Sequence, residues 1–91
     1  MWGEPVSDTI FVYTAHARGT LRERDLPTEW VEATVLTPDA EEPDSTHPDR
    51  RRAYRAVPER DGRILRVVYV RERHICRIVT AFLDRGRRKR T

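Results

Sequence analysis

Residues 63–82 read RILRVVYVRERHICRIVTAF, two runs rich in β-branched and aromatic residues on either side of Glu72-Arg73. Arg63–Arg71 and His74–Phe82 each have the length and composition of a strand, and strands joined by so short a turn pair antiparallel. This hairpin is the expected centre of a sheet. Working back from it, Asp61-Gly62 after Pro58 marks a turn, and Arg52–Val57 alternates as a further strand. Ahead of that strand, residues 39–49 (DAEEPDSTHPD) have two prolines, many acids and no periodicity, which reads as a mobile acidic surface loop. A helix is expected from Leu26-Pro27-Thr28 to Pro38, with Glu29 and Glu32 near its positive end. An earlier helix runs from Thr14 to Arg24 or Asp25, with Ala17 and Leu21 four apart on one face. Thr9–Tyr13 is a short first strand, residues 1–8 a loose terminus, and residues 84–91 a frayed basic tail. The expected architecture is one α+β domain over residues 1–91, with two N-terminal helices packed on a curved antiparallel β-meander.

Composition bounds what such a domain does. With 91 residues, 37% hydrophobic and a mean hydropathy of -0.77, the core is thin, and a partner or dimer contact would help to stabilise it. Cys76 is the one cysteine and sits among Ile75, Ile78 and Val79. No internal disulfide forms, a reducing compartment is expected, and the thiol reads as a small buried side chain. No apolar run approaches the ~18 residues of a membrane span, and residues 1–14 lack the pattern of a secretory signal, so a cytoplasmic location is expected. Residues 1–49 hold three arginines against eleven acids, a net −8, whereas residues 50–91 hold fifteen basic residues against four acids, a net +11. The asymmetry points to a polyanion-facing second half. Seventeen of the eighteen basic residues are arginine, which suits bidentate phosphate contacts, although a GC-rich genome produces the same bias.

Most site chemistries lack their residues. His16, His47 and His74 lie far apart in unlike elements, the four glycines are isolated, and the only serines are Ser7 and Ser45. No metal set, phosphate loop or serine centre is expected, and no cofactor. Cleavage of RNA through its own 2′-hydroxyl needs only proton-transfer groups and cations. His16, at the start of the first helix, is the candidate proton-transfer group, against the alternative of a surface or capping residue. Arg24, at that helix's end, and Arg66 and Arg77, which interrupt the apolar runs of the hairpin, complete the candidate catalytic set. Arg52, Tyr54, Arg55 and Tyr69 form a candidate substrate-binding set of the arginine-plus-tyrosine kind that single-stranded RNA uses, joined by Thr80, whose default role is a β-former. Tyr54 and Tyr69 serve equally well as core residues with a hydrated hydroxyl. Alternation prevents Arg52, Tyr54, Arg55, Arg66, Tyr69 and Arg77 from all sharing one face.

Residues 16–38 (HARGTLRERDLPTEWVEATVLTP), together with Arg51-Arg52-Ala53-Tyr54-Arg55, residues 65–70 (LRVVYV) and Ile78-Val79-Thr80-Ala81-Phe82, resemble a family of small bacterial domains of unknown function grouped with the RelE/BrnT-like toxins. The corresponding residues are His16-Ala17, Arg24, Pro38, Arg52 and Ile78-Val79-Thr80. Pro27 departs from the pattern, standing where relatives often carry a Ser or Thr helix cap. The resemblance implies two helices covering a curved antiparallel sheet, ribonuclease activity, and an acidic antitoxin as protein partner.

Three functions follow as expectations. The first is a metal-independent, toxin-type endoribonuclease acting on RNA. The second is a non-catalytic module holding nucleic acid or an acidic partner on the basic sheet. The third is a homodimeric structural or regulatory domain.

Overall fold

The computed structural model describes residues 9–88. In chain order these form β1 (Ile10–Tyr13), α1 (Ala15–Arg24), α2 (Thr28–Leu36), β2 (Ala40–Pro43), β3 (Arg51–Val57), a 3-10 turn (Pro58–Arg60), β4 (Arg63–Glu72) and β5 (Ile75–Arg88). The strands make one sheet in the order β1-β5-β4-β3-β2. The pairs β2–β3, β3–β4 and β4–β5 are antiparallel, and β1 lies parallel to β5.

The sheet is therefore mixed, and β1 precedes both helices, which corrects the expectation of two N-terminal helices on a purely antiparallel meander. A parallel pair needs a long crossover, and here everything from α1 to β4 is that crossover. Two of the expected irregular segments also contain strand. Ala40–Pro43, inside the expected acidic loop, pairs with Arg51–Tyr54 of β3, and β5 continues through residues 84–88 of the expected tail. The expected loose terminus 1–8 and the end of the tail, 89–91, lie outside the described residues.

The helices end where local chemistry ends them. The Thr14 hydroxyl caps α1 by accepting from the Ala17 N–H at 3.0 Å, and its own N–H donates to the Ile78 carbonyl at 3.1 Å, so the cap also ties the helix to β5. At the other end Asp25 takes a left-handed conformation (φ 57°) and the Leu26 N–H returns to the Leu21 carbonyl at 2.9 Å, a Schellman closure. Helix α2 starts after Pro27 with no side-chain cap, in line with the departure noted there.

Both helices pack on one face of the sheet. Ala17, Leu21, Leu26, Val31 and Val35 meet Ala53 and Val57 of β3, Leu65, Val67 and Tyr69 of β4, and Cys76, Ile78 and Ala81 of β5. The inward positions of β5 change phase because Val68 pairs with Thr80 and Tyr69 with Ile78, which leaves Val79 as the extra residue of a β-bulge. The Cys76 thiol is fully enclosed in this core and burial pushes its pKa up, so it acts as packing rather than as a nucleophile. Among the described residues no helix is long and apolar enough to cross a membrane.

Candidate nucleic-acid interface

Residues that alternate with the core positions point to the sheet's outer face, away from the helices. Five of the sequence-derived candidates meet there: Arg52 and Tyr54 of β3, Arg66 of β4, and Arg77 and Thr80 of β5. The register aligns them in rows across the strands, Tyr54–Arg66–Phe82 and Arg52–Val68–Thr80, with Arg77 between Val12 and Val70. Arg55 and Tyr69 are on the helix side, so alternation does separate the arginine-and-tyrosine group.

The centre of the outer face is largely neutralised by the protein itself. The Arg66 guanidinium lies over the Phe82 ring, 5.0 Å from its centroid, and pairs with Asp84 at 3.7 Å. Arg52 is held between Glu42 and Asp44, each at 3.6 Å, and donates to the Ser45 hydroxyl at 3.3 Å. The Nε atoms of both arginines are buried without a hydrogen bond. Asp44 is held well below the usual carboxylate range, first by the Thr46 N–H, then by the Thr46 hydroxyl, the His47 N–H and Arg52. Tyr54, only 3% exposed, donates its hydroxyl to Glu42 at 2.8 Å, and burial followed by that bond raises its pKa. Its ring is buried on the outer face, and a base has no access to stack on it. Arg77 differs: it is exposed and makes no ion pair among the described residues.

On the helix side, Arg55 donates to the Thr37 carbonyl at the end of α2, and the Tyr69 hydroxyl donates to Glu41. Burial, then that glutamate, pushes the Tyr69 phenol up to about 12. His16 is exposed on α1, its Nε2 3.5 Å from the Thr20 hydroxyl. Because α1 packs through Ala17 and Leu21 on the face opposite Arg52, Arg66 and Arg77, the sheet lies between the imidazole and these cations. The candidate catalytic residues His16, Arg66 and Arg77 are thus not gathered into one centre. Arg24 is apart from them too, lining a cavity of about 140 Å³ with Leu26, Arg63, Leu83 and Arg85 where α1, β4 and β5 meet.

Sequence reasoning passed over Arg63 and Arg85, which by count were only two more arginines among seventeen. Nothing short of the register brings them to the end of α1. It also passed over the carboxylates of residues 39–49, whose acceptors take up Arg51, Arg52, Tyr54 and Tyr69. Among the described residues no three of the His, Cys, Asp and Glu side chains are gathered as a metal site.

Compared with known proteins, residues 13–83 match a family model described as a domain of unknown function, a stretch running from the end of β1 into β5. No curated protein matches the chain, and no solved structure does.

Proposed function

The chain belongs to the DUF4258 family, and from that premise we propose that it is a non-catalytic module that binds single-stranded RNA through the arginines of β4 and β5. One observation carries this reading. Arg63, Arg71, Arg73, Arg77 and Arg85 of the β4–β5 hairpin make no ion pair with any described carboxylate, while Arg51, Arg60 and Arg66 each have one and Arg52 has two. Unneutralised guanidiniums, Arg77 on the outer face and Arg63 and Arg85 on the helix side, suit the repeated phosphates of a flexible polyanion, and arginine planes also stack on unpaired bases. The resemblance of residues 16–38, 51–55, 65–70 and 78–82 to small domains grouped with the RelE/BrnT-like toxins is the reason for taking RNA as that polyanion.

If about five of these cations each displace a counterion, the affinity for single-stranded RNA falls about a hundredfold between 50 and 200 mM salt. A change under about threefold, measured by fluorescence anisotropy, rejects phosphate binding by these residues. The same RNA incubated in EDTA is expected to stay intact.

Toxin-type cleavage is the second reading, favoured by the exposed His16 imidazole, which has no packing role. It would use cations of the helix side rather than Arg66 and Arg77, and an acidic antitoxin would compete with RNA for the hairpin arginines. Metal-independent cutting that disappears in His16→Ala replaces the first reading with this one.

A further inference from the structure

The corner cavity between α1, β4 and β5 is lined by three guanidiniums, Arg24, Arg63 and Arg85, and by two leucines, Leu26 and Leu83. None of the three arginines has a carboxylate partner among the described residues, although an acid stands next to two of them in sequence. Asp84 points away from the cavity to the outer face, where it pairs with Arg66 at 3.7 Å, and it accepts the Gly86 N–H at 2.9 Å. Asp25 is wholly exposed, 3.9 Å from Arg60. Two of the last four α1 carbonyls are taken up within the closing turn, Leu21 by the Leu26 N–H and Arg22 by the Asp25 N–H. Three like charges around one partly apolar space repel one another until an anion neutralises them. At about 140 Å³ the space takes several waters or one tetrahedral oxyanion.

We propose that this cavity seats a phosphate monoester, the 5′-phosphate end of a bound RNA strand. The inference rests on the RNA-binding reading and deepens it. Three cations match a dianion better than the single charge of an internal phosphodiester, and guanidinium forks fit its oxygens bidentately.

The test compares two fluorescent single-stranded RNAs of one sequence, one with a 5′-phosphate and one with a 5′-hydroxyl. The phosphorylated strand is expected to bind about tenfold tighter at pH 7.5, a preference that shrinks below about threefold at pH 5, where the monoester carries one charge (second pKa about 6). The cavity lining contains no histidine or carboxylate to mimic that pH effect. Arg63→Gln with Arg85→Gln weakens both strands and equalises them, whereas Arg77→Gln weakens both and keeps the ratio. Arg24→Gln gives the same equalisation if the double variant does not fold.

Equal binding of the two strands by the native chain overturns the seat and leaves RNA binding standing. Binding of neither strand rejects RNA, and phosphorus NMR of inorganic phosphate then decides the seat. Broadening by the native chain, absent with Arg24→Gln, supports it, and no broadening overturns it.

Discussion

Each of the chain's three tyrosines donates its hydroxyl to a glutamate on another element: Tyr13 to Glu32 at 2.7 Å, Tyr54 to Glu42 at 2.8 Å, and Tyr69 to Glu41. Burial first, and then the neighbouring carboxylate, raises all three phenol pKa values. A raised phenol contributes stability that is fully present below the ordinary value near 10 and is lost as pH rises through the folded value, for Tyr69 between about 10 and about 12. A spectrophotometric titration should therefore show no tyrosine half-ionised at pH 10 in the folded chain. A phenolate signal of one residue at that pH means that one of these pairs is not formed in solution. Glu41→Gln should lower the Tyr69 midpoint, because it removes a negative charge while keeping an acceptor. The same pairs explain why the tyrosines were ambiguous in sequence: a phenol on a strand reads alike as a stacking surface or as core until its acceptor is known.

Among the elements, the left-handed Asp25 at the end of α1 is a residue where glycine costs less backbone strain. Asp25→Gly should stabilise the chain by about 1 kcal/mol in urea unfolding, since the exposed pair with Arg60 that it removes is worth less. Unchanged or lower stability means that the Arg60 contact outweighs the strain. In β5 the bulge at Val79 makes a second case. Deleting Val79 leaves Thr80, Phe82 and Asp84 on the outer face and Ala81 and Leu83 on the core face, whereas deleting Ala81 reverses the residues beyond it. The first deletion should retain cooperative thermal unfolding and the second should abolish it.

The hairpin, β3 and both helices were legible because alternation, the Asp61-Gly62 turn and the prolines each specify local geometry. Neither edge strand was legible in its pairing. AEEP at residues 40–43 has poor strand propensity and is ordered by Tyr54, Tyr69 and the arginines of β3 that its glutamates meet. The four residues of β1 read as strand, but nothing in them names a partner more than sixty residues away. The site was legible as charge only, since a local pattern carries the number of arginines and not which of them are neutralised.

Across the whole molecule, the acidic and basic halves fold against each other rather than standing apart. The acids of β2 and its following turn take arginines of β3, and the surplus positive charge is left to β4, β5 and the end of α1. Substituting Ile78, fully buried where α1 meets β5, by alanine should cost about 2–5 kcal/mol, a large share of what a domain of this size has to lose. Thermal unfolding should shift down accordingly, and a shift of only a degree or two would mean that α1 is not held through β5.

The parallel pairing of β1 with β5 has a consequence for synthesis. Residues 10–13 pair across the sheet with residues 75–78, and the Ile10 N–H donates to the His74 carbonyl at 2.7 Å, so a nascent chain carries its first strand without a ladder partner until that stretch has left the ribosome. Phe11, Ala17 and Leu21 meanwhile lack the surface they finally cover, and they are natural ligands for chaperones that recognise apolar segments.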